Sequence, residues 1–227
     1  MNALEFRIND HVFHWKPQRL LIAGYTGRNQ EDVKRHIDEL KEVGVPAPPM
    51  VPMIYDLSPD LLMTSDTISV VRKESSGEVE IVLLDIDGNW YVGIGSDHTD
   101  RVLETVSIQK SKQVCQKPIS KDVWPLELME DHWDEIELRS WVVVNGKEKL
   151  YQSGTLEAFL QPKDLLEMVK KRNYDSPGMA LFCGTLPLVD GEFIYGDAYR
   201  AELYDRKNDK KIKLSYEVKI LKDAEAV

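Results

Sequence analysis

Apolar residues recur along this chain in short runs divided by Gly, Pro, Asn and Asp, the punctuation of a strand-rich protein. Runs over 67–71, 78–84, 90–94, 137–144, 149–153, 180–183, 197–204 and 211–221 predict strands. Asp87-Gly88-Asn89 and Asn145-Gly146 are turn signals of the kind that close hairpins. Upstream, 4–23 reads as two short strands joined at Lys16-Pro17, the second being Leu20-Leu21-Ile22-Ala23, and Gly24-Tyr25-Thr26-Gly27 reads as a loop. Helical spacing is confined to three places. Val33, Ile37 and Leu40 mark a helix over 29–41, with Asn29 as cap and Gly44 as stop. A second is predicted over 100–107, and a third over 162–172, where Leu165, Leu166 and Val169 form the apolar face. Four prolines within 45–52 exclude both regular helix and a central strand there. Many strands and few helices, without regular alternation, predict an α+β, strand-dominated fold rather than a doubly wound parallel sheet.

Composition narrows the function classes. A chain of 227 residues, 42% hydrophobic and 30% charged, suits one sizeable globular domain. The net charge of −10, with no basic cluster to offset it, argues against nucleic acid and anionic membrane as partners. The densest basic run, Lys207-Asn208-Asp209-Lys210-Lys211, falls in a predicted turn. No apolar run approaches the ~20 residues that span a bilayer, and the first residues do not read as a secretory signal. Cys115 and Cys183 match no zinc or redox spacing, as expected of buried free thiols in a reducing cytoplasm. His11 and His14 have no Cys or carboxylate company and read as incidental.

The chemistry is concentrated in Glu78-Val79-Glu80. Side chains two apart on a strand share a face, roughly 7 Å apart along it, so the two carboxylates project together. A solvated acidic face would suit them, but so would a hard dication, since Mg²⁺ and Mn²⁺ prefer oxygen ligands. Asp97 lies beyond the Asp87-Gly88-Asn89 turn and could return as a third ligand. With oxygen donors already supplied, His98 reads as a hydrogen-bonding residue. His132-Trp133-Asp134 reads as the packed start of a strand pair rather than a catalytic unit.

In order along the chain, these pieces resemble the fumarylacetoacetase superfamily, in particular an uncharacterised bacterial branch of it. Glu78-Val79-Glu80 is similar to its Glu-x-Glu strand, and Ser96-Asp97-His98-Thr99-Asp100-Arg101-Val102-Leu103-Glu104 to its Asn-Asp-x-(Ser/Thr)-Ala-Arg-Asp-x-Gln turn. The stretch from Pro177-Gly178 through Gly184-Thr185 to Pro187 resembles its late Pro-Gly-Asp element, and Phe193-Ile194-Tyr195-Gly196-Asp197 the segment that follows. Asn145-Gly146 and Gln152-Ser153-Gly154-Thr155 match a further pair, while Gly27-Arg28-Asn29 and His36-Ile37-Asp38-Glu39 resemble the N-terminal Gly-x-Asn-Tyr-x-x-His-x-x-Glu with extra residues between.

The resemblance implies a mixed β-roll with a few short helices, forming one catalytic domain over 1–227. Within it, 1–45 would supply N-terminal strands and a lid helix, and 46–227 the metal-binding core. It implies Mg²⁺ or Mn²⁺ held by Glu78, Glu80 and Asp97, with a His36–Glu39 dyad and a catalytic lysine, Lys112 being preferred to Lys110 or Lys117. Arg101, Glu104, Gly184, Thr185 and Tyr55 would contact substrate. The activity implied is a metal-dependent hydrolase or lyase of a small 2-oxo or 1,3-dicarbonyl acid, C–C cleavage foremost, in a cytoplasmic homodimer. The alternatives are a decarboxylase, hydratase or isomerase on the same scaffold, or a non-catalytic small-molecule binder. Three departures bear on substrate: Glu104 replaces the usual glutamine, the Glu80–Asp97 connection is short, and Leu186-Pro187-Leu188-Val189 alters the Gly-Thr-Pro tail.

Overall fold

The computed structural model describes residues 3–9, 11–42 and 47–225, the side chains of His36, Glu39, Leu40 and Glu42 excepted. Two sheets form the body. The six-stranded sheet runs in the order Trp124–Pro125, Asn89–Ser96, Val79–Ile86, Met179–Thr185, Arg19–Gly24, Met53–Leu57. Its neighbours are antiparallel except for Met179–Thr185 beside Arg19–Gly24. The five-stranded sheet runs Lys147–Thr155, Glu137–Val144, Ala198–Asp205, Lys210–Leu221, Thr67–Val71, with only the last pair parallel.

The six-stranded sheet is apolar on both faces, which explains the near-continuous hydrophobic runs of its strands. Leu21, Ile81, Leu83 and Ile94 face a large core shared with Leu138, Val142, Leu203, Ile212 and Tyr216 of the other sheet. Leu20, Ile22, Val82, Leu84 and Phe182 face the opposite way, where Phe6 and Trp15 close a second core. Those two belong to a hairpin, Leu4–Ile8 with His11–Trp15. The N-terminal segment therefore holds three strands, not the two expected. The outer face of Leu20 and Ile22 must be covered, and the extra hairpin covers it.

Helix α1 spans Gln30–Glu42, opened by Asn29, whose Oδ1 accepts from the Glu31 N–H at 3.0 Å. Gly44 and the first part of the proline-rich segment lie outside the described residues, and 47–52 is irregular. The helix expected over 100–107 is instead two short ones. Asp100 caps α2 (Arg101–Glu104) by accepting from the Leu103 N–H at 2.8 Å. Ser107 then caps α3 (Ile108–Gln113), which lies beyond the expected helix. Two capping side chains seven residues apart break the rod. Helix α4 spans Pro162–Lys171 and buries Leu165 and Val169. His132 and Trp133 lie in a 3₁₀ segment, Glu130–Glu135, ahead of the strand Glu137–Val144 rather than starting it. There His132 pairs with Asp131 and Asp205.

Candidate metal centre

Glu78, Glu80 and Asp97 converge, with one carboxylate oxygen from each lying within 4.8 Å of the others. The hairpin of Val79–Ile86 and Asn89–Ser96 brings them together. Asp87 and Gly88 turn the chain at φ 52° and 82°, and the ladder then returns Ser96 opposite Val79. One residue further, the Asp97 N–H donates to the Glu78 carbonyl at 2.9 Å. The short Glu80–Asp97 connection is thus a tight hairpin that delivers the third carboxylate directly.

Met179–Thr185 supplies the next wall. Its register with Val79–Ile86 shifts between Phe182 and Thr185, a bulge that takes Gly184 out of the ladder. Gly184 sits at φ 100°, and its freed N–H donates to Glu80 Oε2 at 2.7 Å. A Cβ there would lie 1.9 Å from Thr26 Oγ1, so glycine is required on both counts. Thr185 Oγ1 donates to the Val79 carbonyl at 3.0 Å. Gln152, wholly buried, accepts from the Val79 N–H at 2.9 Å and donates to Thr185 Oγ1 and the Leu186 carbonyl at 2.6 and 2.8 Å. The backbone between the two glutamates is therefore clamped from two sides.

Cations meet the carboxylates. Lys112 on α3 is ion-paired with Asp97 Oδ2, and Lys117 Nζ lies 3.2 Å from Oδ1. Lys117 is fully buried and also donates to the His98 and Lys112 carbonyls at 2.6 and 2.5 Å. It ties the Asp97–His98 turn to the end of α3. Arg101 Nη2 lies 3.4 Å from Glu78. Lys110 is exposed on α3.

These neighbours set the protonation states. Burial, reinforced by Asp97, pushes the Glu80 carboxyl well above the usual range. Burial acts likewise on Asp97, but Lys112 and Lys117 outweigh it and hold that carboxyl low. Lys112 is pushed up, Asp97 and Glu78 overcoming its burial. His98 is held down to about 3 by burial and by Lys117, so it is neutral. Its Nδ1 lies 3.0 Å from the Tyr216 hydroxyl and its Nε2 2.9 Å from Ser75 Oγ, the hydrogen-bonding place expected of it.

The donor set suits a hard dication. Three carboxylates crowd a largely buried volume, and Asp97 Oδ1 has no well-aligned hydrogen-bond donor. Around it stand Tyr55, whose ring lies 5.8 Å from Lys112 Nζ, and Tyr25, a bulky residue at φ 60°. Burial, then Tyr25, raises Tyr55 to about 12, while burial, then Glu104, raises Tyr25. Of the residues singled out from sequence, the structure gathers Glu78, Glu80, Asp97, Arg101, Glu104, Lys112, Gly184, Thr185 and Tyr55. The side chains of His36 and Glu39, on α1, lie outside the described residues. Tyr25, Thr26 and the clamping role of Lys117 were missed. A bulky residue between glycines and a lysine directly before Pro118 were the available hints.

Solved structures share this architecture. Crystal structures of Cg1458 align at TM-score 0.65 and 13% identity, covering 92% of this chain and 80% of that one. The 2-keto-3-deoxy-D-arabinonate dehydratase complexed with magnesium and 2,5-dioxopentanoate aligns at 0.63 and 17%, covering 96% and 79%. The fumarylpyruvate hydrolase from Pseudomonas aeruginosa, in complex with Mn²⁺ and pyruvate, aligns at 0.62 and 14%, covering 97% of each. These likenesses establish the fold, which is of the fumarylacetoacetase type. A search of curated proteins gives no match. At the level of sequence the family described as "Protein of unknown function (DUF2848)" matches residues 23–216, and the chain belongs to that family.

Proposed function

We propose that the protein is a divalent-metal-dependent enzyme acting on a small 2-oxo acid, with hydrolysis of a carbon–carbon bond as the leading reaction. The observation that carries this reading is the buried convergence of Glu78, Glu80 and Asp97, backed by Lys112 and Lys117. The neighbours' bound ligands support it, since magnesium with 2,5-dioxopentanoate and Mn²⁺ with pyruvate both join a dication to an oxo compound.

In this reading Glu78, Glu80 and Asp97 hold Mg²⁺ or Mn²⁺, which when bound supplies Lewis-acid stabilisation of charge developing on neighbouring substrate oxygens. The chain's own groups do the rest. Lys112, held charged beside Asp97, presents an ammonium to the reacting end of the substrate. Gly184 and Thr185 form the wall beside Glu80, Tyr55 and Tyr25 line the far side, and Arg101 with Glu104 bounds the pocket as an ion-paired unit. His36 and Glu39, one turn apart on α1, are proposed as the general base and its orienting partner. Helix α1 would act as the lid that excludes water. A cytoplasmic homodimer, each subunit one catalytic domain, completes the proposal.

Calorimetric titration of Mg²⁺ and Mn²⁺ into chelator-treated protein tests it, with Glu80→Gln alongside. Saturable binding that the variant loses is expected, followed by turnover of an oxo acid that Lys112→Met abolishes. Absence of metal binding would overturn the reading, and metal binding without turnover across oxo acids would leave a small-molecule binder.

A further inference from the structure

The Arg101–Glu104 pair defines a substrate class. We infer that the site selects an oxo acid bearing a single carboxylate and a neutral distal end, and discriminates against dicarboxylates. This inference rests on the metal-dependent oxo-acid reading above.

Arg101 is the guanidinium nearest the carboxylate cluster, the natural clamp for a second substrate carboxylate. Its donors are spent within the protein. Nη1 donates to both Glu104 oxygens at 3.1 and 2.9 Å, Nε to Ser76 Oγ at 2.7 Å, and Nη2 faces Glu78 Oε2 at 3.4 Å. The Phe193 ring lies over its open face, 4.0 Å from the guanidinium carbon to the centroid. The Arg101 side chain retains 4% exposure, while that of Glu104 retains 24%. An incoming carboxylate therefore meets Glu104 before it meets Arg101. Arg101 bridges Glu104 at 2.9 Å and Glu78 at 3.4 Å, which places Glu104 beside the carboxylate cluster rather than on a remote surface.

Charge balance points the same way. Among the described residues the pocket sets the carboxylates Glu78, Glu80, Asp97 and Glu104 against the cations Arg101, Lys112 and Lys117. With Glu80 ionised as a ligand, a bound dication would convert that single negative excess into a single positive one, which one substrate carboxylate neutralises. A second carboxylate would bury an uncompensated negative charge beside Glu104, a costly arrangement in a site of low dielectric. A methyl or hydroxyl terminus incurs no such cost.

The test compares 2-oxopentanoate with 2-oxoglutarate, five-carbon oxo acids ending in a methyl and in a carboxylate. Each is titrated calorimetrically into Mn²⁺-loaded wild type, Glu104→Gln and Glu104→Asp, with thermal melts to verify folding. The wild type is expected to bind 2-oxopentanoate about tenfold more tightly or better, the scale of one charged contact. Glu104→Gln should shift the ratio of the two dissociation constants about tenfold toward 2-oxoglutarate, and Glu104→Asp should restore the wild-type preference. If metal and oxo acids bind but wild type favours 2-oxoglutarate, or Glu104→Gln leaves the ratio unchanged, the selectivity inference is overturned while the functional reading stands. Failure to bind Mn²⁺ or either oxo acid overturns both. If Glu104→Gln does not fold, the wild-type ratio decides.

Discussion

Lys117→Met is the most telling single change, because it removes a charge that no solvent reaches and leaves the volume filled. Lys117 Nζ donates to the carbonyls of His98 and Lys112 at 2.6 and 2.5 Å and stands 3.2 Å from Asp97 Oδ1. Methionine satisfies none of these acceptors. Losing two charge-assisted hydrogen bonds costs about 1.5–3 kcal/mol each. Removing one member of a buried ion pair costs about 3–5 kcal/mol, for overlapping reasons, so the two figures are not summed. Burial holds Lys117 below the usual lysine range, so part of this cost is recovered when its charge goes. The net expectation is a loss of about 2–4 kcal/mol at neutral pH. Urea denaturation followed by tryptophan fluorescence should show the midpoint falling by about 1–2 M, with m near 2 kcal/mol/M and unchanged. A midpoint shift below about 0.3 M would refute the reasoning, since water would then be replacing the ammonium without penalty.

Gly184→Ala should cost about 3 kcal/mol or more, since its Cβ would overlap Thr26 Oγ1 at a φ that alanine disfavours; a near-wild-type melting temperature with intact Mn²⁺ affinity would count against the bulge as the holder of Glu80. Gln152→Leu should lower stability by about 2–4 kcal/mol and weaken metal binding together, because the Val79 N–H and the Leu186 carbonyl both lose their partner; a stability loss with unchanged affinity would separate the clamp from the site. His132 is desolvated, but its bonds to Asp131 and Asp205 prevail and raise its pKa. Its stabilisation is therefore complete below the ordinary histidine value of about 6.5 and fades as pH rises through the raised one. The urea midpoint should fall over that interval in wild type and lose this step in His132→Asn, whereas parallel profiles would remove the pair from the account.

The strands were legible because burial on both faces writes itself into residue type. Ile81, Val82, Leu83 and Leu84 alternate between two cores, so the run is apolar throughout and cannot be mistaken for a surface segment. The register of the hairpin followed from Asp87-Gly88, and with it the return of Asp97 to the two glutamates. The N-terminal hairpin was not legible, since whether Leu20 and Ile22 need a cover depends on what else packs there, which no local pattern states. The division of 100–113 into two helices was lost for a related reason. Asp100 and Ser107 are each ordinary helix starts, and only their bonds to the Leu103 and Lys110 N–H groups reveal that both act.

The same distinction runs through the site. Residue types announced the carboxylates, because a Glu-x-Glu on a strand of buried type needs a positive partner wherever it falls. They did not announce which cations answer. Arg101 and Lys112 lie on two separate short helices and Lys117 on a two-residue strand, and their convergence on Asp97 and Glu78 is a property of the chain path. Nor could spacing show that Glu104 turns Arg101 inward, because a residue three positions along a helix faces its neighbour as readily as solvent. The substrate preference we infer therefore rests less on the carboxylate triad than on how the cations around it are already occupied. Arg101 is spent on Glu104 while Lys112 beside Asp97 is the cation left for substrate, and under the proposed function a substrate would be matched to the single positive charge that a bound dication would leave.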